Sequence, residues 1–228
     1  MSDAWDFALF GKHPAFGDFL TRRLEQPFLG QLEHWLDAAL TQARDSLGEV
    51  WQSLFDNARP LRFWLGSDLT GQGALAGVMI PSRDKVGRRF PLLILAPADL
   101  TPPTMAPDQS LHDRLTADLG RVLAADPAAF SASPAPLAQT VVPAASVFWA
   151  TNPVADAAGL LAATAEVDHQ RASQSRSYWW CDADQTRSAA VYASTGYPDG
   201  SALAWLWTGV ARQTDALEQN LERDMIGD

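Results

Sequence analysis

The sequence predicts an α/β (α+β) fold in which short strands form one sheet and longer helical segments pack against it. Two apolar runs, Ala74–Ile80 and Phe90–Ala96, are bounded by glycine or proline and are too short for isolated helices, which indicates buried central strands. Between Phe28 and Leu47, apolar residues recur with the spacing of one helical face. The chain has 228 residues, 47% of them hydrophobic, which is enough material for a sizeable core.

The elements before these two central strands follow from the apolar patterns and the turn residues. Trp5–Gly11 and Leu61–Leu65 alternate apolar and polar or small residues, as strands with one buried face do. Lys12–Phe19 contains proline and glycine and is predicted to be a structured loop. A long helix is predicted from Pro27 to Gly48, and a short helix over Val50–Phe55.

The elements after the central strands are predicted in the same way. A helix begins at Ser110 and ends before Asp126-Pro127, because its apolar residues share one helical face. Ser177–Cys181 and Ala189–Ala193 are predicted to be two paired strands. Ser201–Trp207 is then predicted to form a helix.

Four further segments complete the predicted organisation. Pro127–Pro143 is rich in alanine and proline without periodicity, which predicts an irregular excursion. Ser146–Ala150 fits a short strand, and Ala155–Ala165 fits a short helix. Thr214–Met225 has the pattern of an acidic helix with a thin apolar stripe, so residues 210–228 are expected to form a C-terminal helix or tail. No repeat or boundary divides the chain, and residues 1–228 are predicted to form a single domain.

Charge and composition exclude several classes of protein. With 27 acidic and 17 basic residues, the net charge of −10 would repel a phosphate backbone, so no nucleic-acid partner is expected. The single cysteine, Cys181, cannot form an intrachain disulfide. The N-terminus lacks the basic region of a signal peptide, and no apolar run approaches the roughly 18 residues of a membrane span. We therefore expect a cytoplasmic protein without direct membrane insertion.

A dense basic cluster is the exception in this acidic chain. Between the two central strands, the eight residues Ser82–Arg89 contain four basic side chains and one acidic side chain. Asp84 and Gly87 supply ordinary turn chemistry, which accounts for a hairpin connection but not for the positive charge. Guanidinium groups suit carboxylates or a phosphorylated partner. The basic residues are Arg83, Lys85, Arg88 and Arg89.

The sequence contains no recognisable catalytic or metal-binding motif. The four histidines are scattered along the chain, and Cys181 has no cysteine or histidine at a metal-ligand spacing. Gly-x-Ser-x-Gly, Gly-x-Gly-x-x-Gly after a strand, and His-Glu-x-x-His are all missing. The sequence therefore predicts no catalytic residue, no cofactor and no metal. The nine tryptophans favour a tryptophan-rich core over an exposed partner surface.

Three segments together resemble the type VI secretion system-associated family called TagF or ImpM. Gly11–Phe19 resembles the family's opening motif, Gly-Lys-x-Pro-x-x-Gly-Asp-Phe. Pro81–Leu92 resembles its longer motif, Pro-Ser-x-Asp-x-Val-Gly-Arg-x-Phe-Pro-Leu. Ser177–Trp180 resembles its Ser-x-Trp-Trp strand. The order and spacing of the three segments extend over most of the chain.

The resemblance implies a regulatory protein rather than an enzyme. Members of this family are associated with post-translational repression of the type VI secretion system, through contact with a forkhead-associated (Fha) scaffold protein. The resemblance also implies a longin-like sandwich, with an antiparallel sheet of about five strands and helices on both faces. The chain would then be a single TagF-like domain.

On this basis we expect a protein partner to bind at the two charged loops and the tryptophan pair. The expected partner-binding residues are Lys12, Asp18, Arg83, Asp84, Arg88 and Arg89, with Trp179 and Trp180 as anchors. Two alternatives remain open at this point. The protein is a small-ligand sensor or enzyme with a pocket near Lys12, His13, Asp18 and the basic loop, or it is a structural subunit of the apparatus. The sequence leaves the oligomeric state open.

Overall fold

A computed structural model describes residues 6–71, 73–130, 135–137 and 157–209. These residues contain a single antiparallel sheet of seven strands, in the order β2-β1-β5-β4-β3-β6-β7. The predicted α+β class is confirmed, with seven strands where about five were expected. The strands are β1 Ala8–Lys12, β2 Phe19–Arg22, β3 Leu61–Leu65, β4 Leu75–Ile80, β5 Leu92–Pro97, β6 Arg176–Cys181 and β7 Ala190–Thr195.

Six α-helices connect the strands within the described residues. The helices are α1 Phe28–Leu47, α2 Trp51–Asp56, α3 Ser67–Thr70, α4 Ser110–Ala124, α5 Ala157–Ala172 and α6 Gly200–Thr208. Two 3₁₀ turns lie at Gly48–Val50 and Pro127–Phe130. The sequence predicted α1, α2, α4 and α6, and it placed α5 too early. The single-turn helix α3 lies in the glycine-containing connection between β3 and β4.

Both faces of the sheet are covered, which explains the continuous apolar runs of β4 and β5. Alternate residues of β1 face opposite sides: Phe10 packs with α1 and α6, whereas Leu9 packs with α4. In the seven-stranded order, β5 and β4 are the third and fourth strands and are buried on both sides. A strand with two buried faces has apolar residues at every position instead of at alternate ones.

The tryptophans that the structure describes belong mainly to this interior, as the core interpretation predicts. Trp179 is fully buried, with its ring 4.7 Å from that of Phe63 and 5.2 Å from that of Trp35. The indole nitrogen of Trp35 donates to the Pro198 carbonyl over 2.7 Å. Trp180 points to the other face and is half-buried, and its indole nitrogen donates to Gln109. Trp179 therefore holds the core together and has no exposed face for a partner.

One end of the sheet collects the loops that carry the basic residues. The antiparallel register places Lys12 opposite Phe19, and Ile80 opposite Leu92, at the same end. The start of β3 and the turn between β6 and β7 lie at this end too. We call it the basic end of the sheet. Loops 13–18, 57–60, 81–91 and 182–189 meet there.

Several predicted segments lie outside the described residues. They are the strand Ser146–Ala150, the helix Thr214–Met225 and most of Pro127–Pro143. Among the helices that are described, none combines the length and the apolar composition that crossing a bilayer requires.

Candidate functional site

A buried aspartate joins the two charged loops at the basic end of the sheet. The Asp84 carboxylate accepts from the Lys12 ammonium group over 3.1 Å and from the Arg88 guanidinium over 2.6 Å. Its other oxygen accepts from the backbone amides of Val86 and Arg88 over 3.1 and 2.9 Å. The Asp84 side chain has no exposed surface. Four donors therefore compensate for its loss of water.

These contacts determine the protonation of Asp84. Burial on its own would raise the pKa of this carboxyl group. Hydrogen bonds from Arg88, from Lys12 and from the Val86 amide overcome that effect and hold the pKa of Asp84 well below its usual range. The carboxylate is therefore ionised at neutral pH and balances the buried ammonium of Lys12.

Hydrogen bonds to three backbone carbonyls fasten the segment Lys12–Gly17 to the basic loop Ser82–Arg89. The Ser82 hydroxyl donates to the Lys12 carbonyl over 2.7 Å. The Lys85 amide donates to the Phe16 carbonyl over 2.9 Å, and the Arg88 guanidinium donates to the Gly17 carbonyl over 2.8 Å. Two of the three segments that resemble family motifs, Gly11–Phe19 and Pro81–Leu92, thus form one interlocked unit, although more than sixty residues separate them in the sequence.

Gly11 is required where this unit meets the sheet. Its φ of +128° is unfavourable for any residue with a side chain, and a Cβ atom would overlap the Pro91 carbonyl oxygen. We expect Gly11→Ala to reduce the free energy of unfolding by at least about 2 kcal/mol, as measured by urea denaturation. Gly120→Ala is the matched control. Gly120 lies in α4 with no atom within 4 Å of an added Cβ, so alanine should stabilise the protein by up to about 1 kcal/mol. Equal effects of the two substitutions would contradict this role.

His13 is part of the structure rather than a free acid or base. It is buried, its Nε2 lies 3.1 Å from the Val122 carbonyl oxygen, and its Nδ1 accepts from the Ala15 amide. This pattern fits the neutral tautomer with the proton on Nε2. His13 therefore links loop 13–18 to α4.

A second aspartate organises the outer side of the basic loop. The carboxylate of Asp56, at the end of α2, accepts two hydrogen bonds from Arg89 over 2.9 and 2.7 Å. The Arg83 guanidinium approaches the same carboxylate to 3.3 Å. Hydrogen bonding from Arg89, reinforced by the charges of Arg89 and Arg83, lowers the pKa of Asp56, and the same bond raises the pKa of Arg89.

Each of these two aspartates is shared by two basic side chains, so positive charge remains. Lys85 is exposed and forms no ion pair with any residue that the structure describes. Arg83 and Arg88 expose 52% and 60% of their side chains. Lys12 and Asp84 form a buried pair whose charges cancel, and the other four positive groups and one negative group leave a net charge of +3 in a chain of net charge −10. We call this surface the basic patch. Its members are Asp56, Arg83, Lys85, Arg88 and Arg89.

An open groove lies beside the basic patch. It has a volume of about 1160 Å³ and separates the exposed side of α1 from the residues Gly87–Phe90. The start of α2 forms part of its floor. Lys12, His13 and Asp18 do not line it, so this groove is not the pocket that the small-ligand alternative requires. Among the described residues, no three potential metal ligands converge.

The structure brings most of the predicted partner-binding residues together but divides them by exposure. Asp18, Arg83 and Arg88 are on the surface, and Arg89 exposes a quarter of its side chain. Lys12, Asp84 and Trp179 are buried. We therefore do not carry these three into the binding surface. Trp180 lies near α4, away from the charged loops.

Two residues of the basic patch were missed in the prediction of partner-binding residues. Lys85 belonged to the recognised basic cluster, so that signal was available. Asp56 lies 33 residues before Arg89, and no local pattern in the sequence connects them.

The comparison with known families decides the identity of the chain. The family described as TagF N-terminal domain, type VI secretion system-associated, matches residues 8–138. This chain belongs to the TagF family. A crystal structure of PA0076 from Pseudomonas aeruginosa PAO1 is similar to it, with a TM-score of 0.66 and 25% sequence identity. That similarity covers 90% of this chain and 96% of PA0076. No curated protein matches the sequence.

Membership of the TagF family confirms the resemblance carried by the sequence motifs. Gly11–Phe19 and Pro81–Leu92 both lie within the matched residues. The similarity to PA0076 covers more of the chain than the TagF match does. The association of this TagF protein with type VI secretion is therefore shown.

Proposed function

We propose that this TagF protein is a non-catalytic cytoplasmic regulator that represses assembly of the type VI secretion system. It acts by binding an acidic surface of an Fha-type scaffold protein through the basic patch. The observation that supports this proposal most directly is the net charge of +3 on the basic patch, in a chain whose net charge is −10. Basic side chains held close together on one surface repel one another, and an acidic surface on a partner would offset that repulsion.

The geometry of the patch favours recognition of a protein over chemistry in a pocket. Asp84 and Asp56 fix the basic loop before any partner arrives, so little conformational entropy is lost on binding. Arg83 and Arg88 retain exposed N–H groups that suit carboxylates. Lys12 and His13, which the small-ligand alternative requires, already have internal partners.

Direct binding to a purified Fha-type scaffold protein tests this proposal. Calorimetry should detect a complex at about 50 mM NaCl, and the affinity should fall about tenfold by about 300 mM NaCl, because salt screens exposed charges. The absence of a complex at low salt would contradict the choice of partner. A salt-independent affinity would contradict the role of the basic patch. Stoichiometric co-purification with the assembled apparatus would instead favour a structural subunit.

A further inference from the structure

A second, smaller cavity lies at the basic end of the sheet. It has a volume of about 340 Å³ and is lined by the start of β3, part of the turn between β6 and β7, and α4. This volume is at the lower end of the range for small-molecule sites. The cavity shares no described lining residue with the groove or with the basic patch. It is therefore a separate candidate site.

A buried arginine forms part of the wall of this cavity. Arg59 is only 4% exposed, and its guanidinium donates to the backbone carbonyls of Asp182, Ser188 and Leu206. Its Nε is covered and has no hydrogen-bond partner among the described residues. The known acceptors of this guanidinium are therefore uncharged.

The carboxylates near the cavity pair with its two other arginines. Arg187 binds Asp184 over 2.6 Å. Arg62 binds Asp113 over 2.8 Å and approaches Asp182 to 3.4 Å. Asp113 and Asp182 are exposed, so water screens their charges. Within the part of the chain that the structure describes, the buried guanidinium is thus left without a carboxylate partner.

This arrangement leaves a positive charge in the cavity wall. A buried charge without a counter-ion destabilises a folded protein, and the carbonyl oxygens bonded to Arg59 carry only partial negative charges. An arginine also keeps its proton at neutral pH, so deprotonation does not relieve the charge. An oxyanion in the cavity would supply the missing negative charge.

The rest of the lining suits the remainder of a small ligand. Only two of the five N–H groups of Arg62 donate to described side chains, which leaves donors for a ligand oxygen. Ala58, Pro60 and Val78 supply apolar surface for a short carbon skeleton.

We infer that this cavity binds a small molecule that carries an oxyanion, either a carboxylate or a phosphate group. The oxyanion neutralises Arg59 across the cavity wall and accepts hydrogen bonds from Arg62. This site goes beyond the proposed function, because its ligand is a small molecule and its occupancy does not depend on the scaffold protein.

Thermal unfolding of the full-length chain with added anions tests the site. Inorganic phosphate is one probe and acetate is the other, which distinguishes phosphate from carboxylate recognition, and NaCl keeps the ionic strength constant. We expect a saturable rise in melting temperature for at least one probe, of about 3 °C at ten times its Kd. Isothermal titration calorimetry measures that Kd.

Two substitutions in the lining should each weaken binding of the probe at least about tenfold. Arg62→Gln removes the donors. Thr116→Glu provides a tethered carboxylate from an exposed residue of α4 that lines the cavity. The matched control is Ala117→Glu, which adds the same charge at an exposed neighbour outside the lining and should bind like the wild-type protein. Where one of the two lining variants fails to fold, the other decides.

The same titration with Arg83→Glu combined with Lys85→Glu separates the cavity from the basic patch. We expect this variant to keep the response, because neither residue lines the cavity. A response lost in this variant but retained in Arg62→Gln would place the anion on the basic patch and overturn the inference. The absence of a saturable response to both probes, or equal responses in the lining variants and the Ala117→Glu control, would also overturn it. None of these results decides whether the scaffold protein binds, which its own titration measures.

Discussion

Replacing Asp84 by asparagine is expected to lower the melting temperature by about 10 °C, because removing one partner of a buried ion pair leaves the other charge uncompensated. The asparagine would keep an oxygen for the amides of Val86 and Arg88. Its amide group would instead face the ammonium of Lys12 and the guanidinium of Arg88, which are both donors. Differential scanning calorimetry at neutral pH measures the change.

The pH dependence separates the charge of Asp84 from its shape. Its hydrogen bonds outweigh its burial and hold its pKa in the folded protein well below the unfolded value of about 4. The stability that the ionised group contributes is therefore present above about pH 4, and it is lost as the pH falls through the lowered folded pKa. The difference in melting temperature between wild type and Asp84→Asn should be largest at neutral pH and narrow below about pH 4.

Asp56→Asn is the control for this experiment. Asp56 also binds two arginines, but its side chain is 27% exposed and water can replace part of what is lost. We expect a much smaller change in melting temperature. If the two substitutions have equal effects, the buried contact between Lys12 and Asp84 is not what holds the loops together.

The sequence predicts a strand or helix well when the burial of its own residues determines that it forms. The apolar runs of β4 and β5 and the helical spacing of α1 both arise from burial, which gives a continuous run in a strand with two buried faces and a helical period in a helix with one. The strand β2 was missed because Phe19–Arg22 is short, lies at the edge of the sheet and has only two buried residues. Its buried residue Leu20 belongs to the same apolar cluster as Leu92 in β5 and Leu115 in α4, which are distant in the sequence.

The contacts at the candidate site depend on tertiary structure and are therefore less predictable. In the sequence, Asp84 is an ordinary turn residue, whereas in the fold it binds Lys12 from 72 residues away. The tryptophan pair shows the same limit. Alternation along β6 places Trp179 and Trp180 on opposite faces of the sheet, but the sequence does not show which of the two is fully buried.

The motif itself separates bracing residues from binding residues. In Pro-Ser-x-Asp-x-Val-Gly-Arg, the named positions include Ser82, Asp84 and Arg88, which lock the two loops together. Arg83 and Lys85 occupy the unspecified positions and point to the surface. The motif therefore describes mainly how the loop is held, and Arg83 and Lys85, whose charges are available to a partner without a bracing role, lie between its fixed residues.

This separation changes the choice of substitutions for testing the binding surface. Reversing the charges of Arg88 and Arg89 would place glutamates against Asp84 and Asp56, so a loss of binding would be confounded by unfolding. Arg83 and Lys85 avoid this problem. Arg83 is half-exposed, and its guanidinium lies 3.3 Å from the Asp56 carboxylate, farther than that of Arg89 at 2.7 Å. Lys85 has no ion-pair partner within the described part of the chain.

Arg83→Glu combined with Lys85→Glu is therefore expected to weaken binding to the Fha-type scaffold protein at least about tenfold at low salt. The substitutions change the net charge of the basic patch from +3 to −1, so attraction to an acidic surface becomes repulsion. The melting temperature should shift by no more than a few degrees, because exposed ion pairs contribute little to stability. Calorimetric titration and thermal unfolding of the same samples give both quantities.

The matched control is Arg114→Glu combined with Arg121→Glu, which makes the same change in net charge on α4. Both residues are exposed and lie across the sheet from the groove. We expect this control to bind with nearly the affinity of the wild-type protein, since overall charge acts weakly at a distance in salt. Equal weakening by the two double variants would show that the net charge of the chain governs the association. Unchanged binding by both would remove the basic patch from the interface, while the buried Lys12–Asp84 pair would keep its structural role.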